Sequence, residues 1–182
     1  LLRQREIAEM QGTLWEMTHE QSGAKLCWLQ RADENMTFAI AFRTIPTDST
    51  GVFHILEHSV LNGSDKYPVK EPFVELLKSS LQTFLNAMTY PDKTVYPVSS
   101  RNKQDFHNLM DVYMDAVLHP LAVKMPNVFR QEGWRLEFDE QGEPMFQGVV
   151  YNEMKGAYSD VTRMAERAMM AGLYPDTCYA ME

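Results

Sequence analysis

The sequence has 182 residues, of which 45% are hydrophobic and 23% are charged, and its formal net charge is −8. This length suffices for the core of one domain, and the negative charge argues against sequence-independent binding of nucleic acid, which depends on lysine and arginine neutralising phosphates. The two cysteines lie far apart and no apolar stretch approaches the roughly 18 residues of a membrane span, so we expect no disulfide framework and no membrane partner.

Two strands are predicted in the first quarter of the chain. Residues 25–30 form a short apolar run, and residues 36–44 alternate between apolar side chains on one side and smaller or polar ones on the other. Alternation with a period of two is typical of strands, and the short spacing favours two antiparallel neighbours. Residues 46–51 contain Pro, Ser and Gly and predict a loop.

The next predicted elements are two helices and a hairpin. A helical pattern runs from about residue 52 to 61 and ends at an Asn-Gly pair, and a second helix is expected to begin at Pro72. Two β-prone runs, 84–89 and 94–98, are separated by the turn-forming residues Tyr-Pro-Asp-Lys, which indicates a hairpin.

The second half of the chain predicts a long helix, a second hairpin and more helix. The long helix spans residues 103–118 with Asn102 as its N-cap, the hairpin joins residues 134–138 and 145–147, and a helical pattern follows from about residue 149 with a break near residues 159–160. The mixture predicts an α+β fold, a mostly antiparallel sheet with helices packed on it, as one domain over residues 1–182.

The segment His54-Ile55-Leu56-Glu57-His58 is the candidate for chemistry. Histidines four apart on a helix share one face, so both imidazoles can reach one zinc ion at roughly 2.0–2.1 Å. Glu57 projects to the same side, and we expect it to act as the general base that takes a proton from a zinc-bound water. The order His-x-x-Glu-His is that of the inverzincins.

A catalytic zinc ion needs a third protein ligand as well as an open position for water. The spacing of the sequence does not identify this ligand. The candidates among the histidines are His19, His107 and His119, and the carboxylates are too numerous to choose among.

The motif lies in a longer stretch, residues 51–64, and four further blocks follow at 67–78, 83–92, 131–134 and 148–156. The resemblance extends over most of the chain from about residue 25 to 160. Their sequence resembles the active-site region of the pitrilysin/insulinase superfamily of inverted-zincin metallopeptidases, most closely its presequence-protease branch. The resemblance implies a metallohydrolase domain like those of pitrilysin and the mitochondrial processing peptidase.

The resemblance also implies the roles of four residues. His54 and His58 match two ligands of one zinc ion, Glu57 matches the general base, and Glu153 matches the distal glutamate that completes the site. One position departs from the superfamily pattern, because many relatives outside this branch carry an acidic residue where this chain has Phe146.

In the superfamily the substrate is held as an added strand along a sheet edge near the zinc. The matching edge here contains Leu85, Asn86, Ala87 and Met88. Pairing through the backbone gives affinity with little sequence selectivity, which suits varied peptides. The alternative interpretation is that residues 84–89 form an internal strand.

Members of the superfamily are far longer than this chain and consist of two halves that enclose a chamber. The resemblance therefore predicts that residues 1–182 are the N-terminal zinc-binding catalytic domain of such a protein. The partners it implies are peptide substrates and the missing C-terminal half. We expect the isolated region to bind zinc and to be weak or inactive as a peptidase.

The sequence thus predicts a zinc metalloendopeptidase that degrades short unstructured peptides. Two alternatives remain open: a catalytically silent structural or partner subunit of the superfamily, and a zinc enzyme with another reaction that shares the motif. The isolated cysteines favour a reducing compartment. A bacterial cytoplasm is preferred to an organelle matrix because the sequence contains no transit-like segment.

Overall fold

The computed structural model describes residues 1–69 and 72–181, and the chain divides into two units, Leu1–Met36 and Thr37–Glu182. The first unit is a three-stranded antiparallel sheet in which β2 is central, with Trp15 opposite Trp28 and their rings stacked at 6.1 Å. Its strands are β1 (Arg3–Ile7), β2 (Gly12–Thr18) and β3 (Lys25–Arg31).

The second unit contains the remaining six strands and six helices of the described residues. Its strands are β4 (Met36–Phe42), β5 (Gln82–Leu85), β6 (Met88–Tyr90), β7 (Lys93–Ser100), β8 (Arg135–Phe138) and β9 (Pro144–Gln147). Its helices are α1 (Val52–Val60), α2 (Pro72–Ser79), α3 (Lys103–Leu118), α4 (Pro126–Glu132), α5 (Val149–Ala157) and α6 (Val161–Leu173).

The α+β fold class is confirmed, and most predicted elements lie where their patterns indicate. The pairing predicted for the first two strands is wrong. Residues 25–31 pair with β2, whereas β4 pairs with β7 in a different sheet. The error arose because β1 and β2 were not predicted, so the natural partner of β3 was missing.

Among the described helices, none is long and apolar enough to cross a bilayer.

The strand predicted over residues 84–89 is two strands, β5 and β6, which pair one after the other with the same edge of β7. The interruption falls at Asn86 and Ala87. Asn86 donates its backbone N–H to the carbonyl oxygen of Pro97 at 3.2 Å, and Pro97 has no N–H to return. The Asn86 side chain instead accepts the N–H of Ala87 at 3.0 Å, which favours a local turn over a continuous ladder.

The core of the second unit lies between β7 and α3. Val98 is fully buried, and Leu109 and Tyr113, four residues apart on α3, pack with it. Burial of such side chains contributes on the order of 1.5–3 kcal/mol each. The predicted N-cap is confirmed, since the Asn102 side chain accepts the N–H of Asp105 at 3.0 Å.

Two glycines set the distance between α4 and α5, which the β8–β9 hairpin connects. A Cβ atom on Gly148 would lie 1.9 Å from the carbonyl oxygen of Gly133, so the two backbones approach too closely for any side chain at position 148. Gly133 follows the last residue of α4, and Gly148 precedes the first residue of α5. The two helices contact each other, and both contact α1.

Candidate metal centre

Helix α1 presents three side chains of the predicted motif on one face. His54, Glu57 and His58 each offer a ligand atom, and these atoms lie within 4.8 Å of one another. The two imidazole rings are 4.9 Å apart between centroids. The spacing of one helical turn therefore produces the cluster that the sequence predicts.

The other face of α1 is buried and fixes the helix in place. Ile55 and Val60 are 9% and 7% exposed, and the Ser59 hydroxyl donates to the carbonyl oxygen of Ile55 at 2.6 Å. The helix begins after Gly51, whose φ of 69° lies in the left-handed region that favours glycine. The motif thus lies on a packed element, with its histidines turned towards a cavity.

Glu57 is the most buried member of the motif, at 5% exposed. Thr89, from the edge strand β6, donates its hydroxyl to Oε2 of Glu57 at 2.6 Å. Burial raises the pKa of Tyr96 and Tyr113, and the nearby negative charge of Glu57 adds to both shifts. No pattern in the sequence indicates that Thr89 contacts the predicted base.

Glu153 on α5 faces both histidines. Its Oε1 lies 3.6 Å from Nε2 of His54, and its Oε2 lies 3.5 Å from Nε2 of His58. The Glu153 side chain is 52% exposed, so this part of the cluster opens to solvent. The structure therefore brings together the four residues that the resemblance implied.

The donor set fits a zinc ion. Nitrogen and oxygen ligands at roughly 2.0–2.1 Å from a tetrahedral ion lie about 3.3–3.4 Å from each other. The spacings between Glu153 and the two Nε2 atoms exceed this by only a few tenths of an ångström.

A second carboxylate, which sequence reasoning missed, contacts His58 from the other side. Oε2 of Glu132 lies 3.4 Å from Nδ1 of His58, and Glu132 is only 4% exposed. A hydrogen bond to Glu132 raises the pKa of His58, burial opposes the shift, and the charge of Glu57 and other carboxylates adds to it. Glu132 was not predicted because α4, which ends at this residue, was not recognised in the sequence.

The other candidate ligands take different positions. His19 follows β2 in the first unit, with its Nδ1 2.7 Å from the Ser22 hydroxyl. His107 lies exposed on α3, and His119 at the end of α3 contacts Asp115 at 3.1 Å. Neither of the two α3 histidines belongs to the cluster around His54.

A cavity of about 1080 Å³ adjoins the cluster. Its lining includes His54, Glu57 and His58 together with Glu132 and Glu153, and also residues 86–90. Asn86, Ala87 and Met88 therefore line the cavity. The Leu85 side chain is instead buried in the core at 8% exposed, so a ligand in the cavity could meet only its backbone.

The sequence profile of the family described as Insulinase (Peptidase family M16) matches residues 43–146. Protein HypA of Clostridium perfringens is 56% identical over 182 residues, which are 100% of this chain and 19% of that protein. Presequence protease 1, chloroplastic/mitochondrial, of Arabidopsis thaliana is 53% identical over 90% of this chain and 15% of its own length. The mitochondrial presequence protease of Mus musculus is 45% identical over 96% of this chain and 17% of its own length.

A crystal structure of pitrilysin aligns with 66% of this chain and 13% of its own, with a TM-score of 0.48 and 24% sequence identity. In all of these comparisons the chain spans less than a fifth of the length of the protein it matches.

Proposed function

Since the chain belongs to the insulinase family, peptidase family M16, we propose that it is the zinc-binding catalytic region of a metalloendopeptidase that degrades short unstructured peptides. The observation that carries the proposal is the meeting of two histidine nitrogens and one carboxylate at 3.5 and 3.6 Å. His54, His58 and Glu153 would hold one zinc ion. A catalytic zinc site has three protein ligands of this kind and keeps one position open.

Glu57 is the general base of the proposed reaction. When bound, zinc supplies a Lewis acid that polarises a peptide carbonyl and lowers the pKa of water. Glu57 lies on the same face of α1 as the two ligands and takes the proton of the attacking water. The hydroxyl of Thr89 donates a hydrogen bond to Oε2 of Glu57 and so holds the carboxylate in position.

The peptide substrate lies extended along the outer edge of β6. β5 and β6 occupy one edge of β7 while β4 occupies the other, so their own outer edge faces away from the sheet. Asn86, Ala87 and Met88 lie on the cavity wall at this edge. A peptide added as a strand binds through backbone hydrogen bonds, so the sequence of the substrate matters little.

The region acts within a longer protein. The chain covers 15–19% of the three relatives compared above, so we propose that residues 1–182 form the N-terminal zinc-binding domain and that a C-terminal half completes the peptidase. The isolated region is expected to bind zinc but to cleave peptides weakly or not at all. A reducing compartment, bacterial or organellar, remains the expectation from the cysteines.

The test compares the full-length protein with its Glu57→Gln variant, using an unstructured fluorogenic peptide and a measurement of bound zinc. We expect kcat to fall by about 10²–10⁴-fold while about one zinc ion per chain is retained, because Gln cannot accept the proton. The matched control is Glu140→Gln, which removes the same charge at an exposed position of the β8–β9 turn.

Three outcomes would contradict the proposal. Unchanged kcat in Glu57→Gln would remove Glu57 as the base. A zinc-loaded wild-type protein that cleaves no peptide would indicate another zinc-dependent reaction. A wild-type protein that binds no zinc would indicate a silent structural or partner subunit.

A further inference from the structure

We propose that Glu132 is a positioning residue whose buried carboxylate orients the imidazole of His58 so that Nε2, and not Nδ1, faces the metal. The inference rests on the proposed function, because it assigns an outer partner to one of the proposed zinc ligands. It also gives a role to a buried charge that the reaction itself does not use.

The geometry separates an inner carboxylate from an outer one. Glu153 lies 3.5 Å from Nε2 of His58 and 3.6 Å from Nε2 of His54, so it shares one side with both histidines. Glu132 lies 3.4 Å from Nδ1 of His58. The two nitrogens of an imidazole point in different directions, and a single ion cannot bind both. Glu132 is therefore the outer partner.

The burial of the two carboxylates also distinguishes Glu132, the outer partner, from Glu153. The side chain of Glu132 is 6% exposed and that of Glu153 is 52% exposed. An ionised carboxylate in the interior is costly unless it is paired and hydrogen-bonded. Asn62 meets this need, because its Nδ2 donates to Oε1 of Glu132 at 2.9 Å and also to the carbonyl oxygen of His58 at 3.2 Å. The second oxygen, Oε2, is the one nearest to Nδ1 of His58.

The position of Glu132 is set by packing between α4 and α1. Glu132 is the last residue of α4, and a Cβ atom on the following Gly133 would lie 3.3 Å from Cδ1 of Ile55. The end of α4 therefore contacts the buried face of the helix that carries His58. A carboxylate held in this way accepts the Nδ1–H, which fixes both the tautomer and the ring orientation of a metal-binding histidine.

The first measurement is the tautomer of His58 in the zinc-free full-length protein, by NMR of ¹⁵N-labelled histidine at a pH at which the histidines are neutral. We expect the proton on Nδ1 in the wild type and a shift towards the Nε2–H form in Glu132→Ala. A wild-type His58 protonated on Nε2 would overturn the proposal. Because zinc is absent, this result does not depend on the metal site.

The second measurement is the zinc dissociation constant, by competition with a chelator, for wild type, Glu132→Gln, Glu132→Ala and Glu140→Gln. Loss of an outer partner is expected to weaken binding about 10–100-fold, with Gln nearer the lower end because it keeps an acceptor. Glu140→Gln should bind like the wild type, and the midpoint of thermal unfolding identifies any variant that has lost its fold.

The two proposals fail differently. Equal zinc affinity in the wild type and both Glu132 variants would overturn the role of Glu132 and leave the metal site intact. Absence of zinc binding in the wild type would overturn the metal site, and with it any role of Glu132 towards a metal, whatever the tautomer of His58.

Discussion

The two carboxylates that face the histidines come from regions that are built differently. The packed region, where α4 meets α1, buries Glu132 and packs Gly133 against Ile55. In the open region, α5 buries Val150 but leaves Glu153 half exposed. The proposed orientation of His58 thus depends on a packed scaffold, whereas the third proposed ligand comes from a more lightly packed helix.

The largest expected effect comes from removing one of the proposed zinc ligands, either His58 in the packed region or Glu153 in the open region. In His58→Ala and in Glu153→Ala the zinc dissociation constant should rise by more than the roughly 10–100-fold that loss of an outer partner costs. The check is chelator competition on each variant. For Glu153→Ala we expect little loss of stability in the zinc-free protein. Because Glu153 is exposed, its replacement should change the free energy of unfolding by about 0.5 kcal/mol or less.

Zinc retained with wild-type affinity in Glu153→Ala would mean that the third ligand lies elsewhere. A zinc-free Glu153→Ala protein that unfolds much more easily would contradict the description of α5 as the lightly packed side.

The next largest effect is expected at the contact between Gly133 and Gly148, which joins the packed region to the open one. Gly148→Ala would place a methyl group 1.9 Å from the carbonyl oxygen of Gly133, so the backbones must separate. We expect the free energy of unfolding to fall by about 3 kcal/mol, the upper end of overpacking costs, and zinc binding to weaken because Glu153 moves away from the histidines. Chemical denaturation measures the first and chelator competition the second.

The matched control for this substitution is Gly156→Ala, near the end of α5. A Cβ atom at position 156 would meet nothing within 4 Å, so the higher helix propensity of alanine should stabilise the protein by up to about 1 kcal/mol. Similar stability in the two variants would show that the approach of Gly148 to Gly133 does not hold the helices together.

A smaller effect is expected at the hydrogen bond to the base. Thr89→Val keeps the shape of the side chain but removes the hydroxyl that donates to Oε2 of Glu57. A bond to a charged group contributes about 1.5–3 kcal/mol, and part of the loss should appear as an approximately tenfold lower kcat of the full-length protein. Thr89→Ser should restore most of the rate, and a Val variant as active as the wild type would remove Thr89 from the positioning of Glu57.

The smallest effect is expected at the N-cap of α3, which lies away from the metal site and serves as a reference. Asn102→Ala removes the N-cap of α3 and should lower the free energy of unfolding by about 1 kcal/mol. Zinc affinity should stay at the wild-type value, because α3 contributes no side chain to the cluster. A parallel loss of zinc affinity would mean that the metal site responds to general stability, which would weaken the comparison between the two regions.

The sequence by itself predicted the features that depend on neighbours along the chain. The face shared by His54 and His58 follows from the helical repeat, and the cap at Asn102 follows from a side chain that can accept the N–H of Asp105. The β8–β9 hairpin also lies where alternation and turn residues place it. In each case the interacting residues are few positions apart, so local patterns carry the information.

The resemblance to a family added a prediction for the third zinc ligand, which the spacing of the sequence could not supply. No local pattern connects Glu153 with a histidine 99 positions earlier, and the sequence chemistry alone left His19, His107 and His119 as alternatives. The structure places Glu153 against both Nε2 atoms, although its role as a zinc ligand remains a prediction until the metal is measured.

Only the tertiary structure decided the partners of β3 and β4, the interruption of the edge at Asn86, and the position of Glu132 beside His58. Each depends on contacts between residues far apart in the chain. A strand pattern specifies an extended backbone but not which edge it joins, and a glutamate at the end of a seven-residue helix has no local sign of burial. Packing of α4 against α1, where Gly133 lies beside Ile55, brought that carboxylate to the histidine.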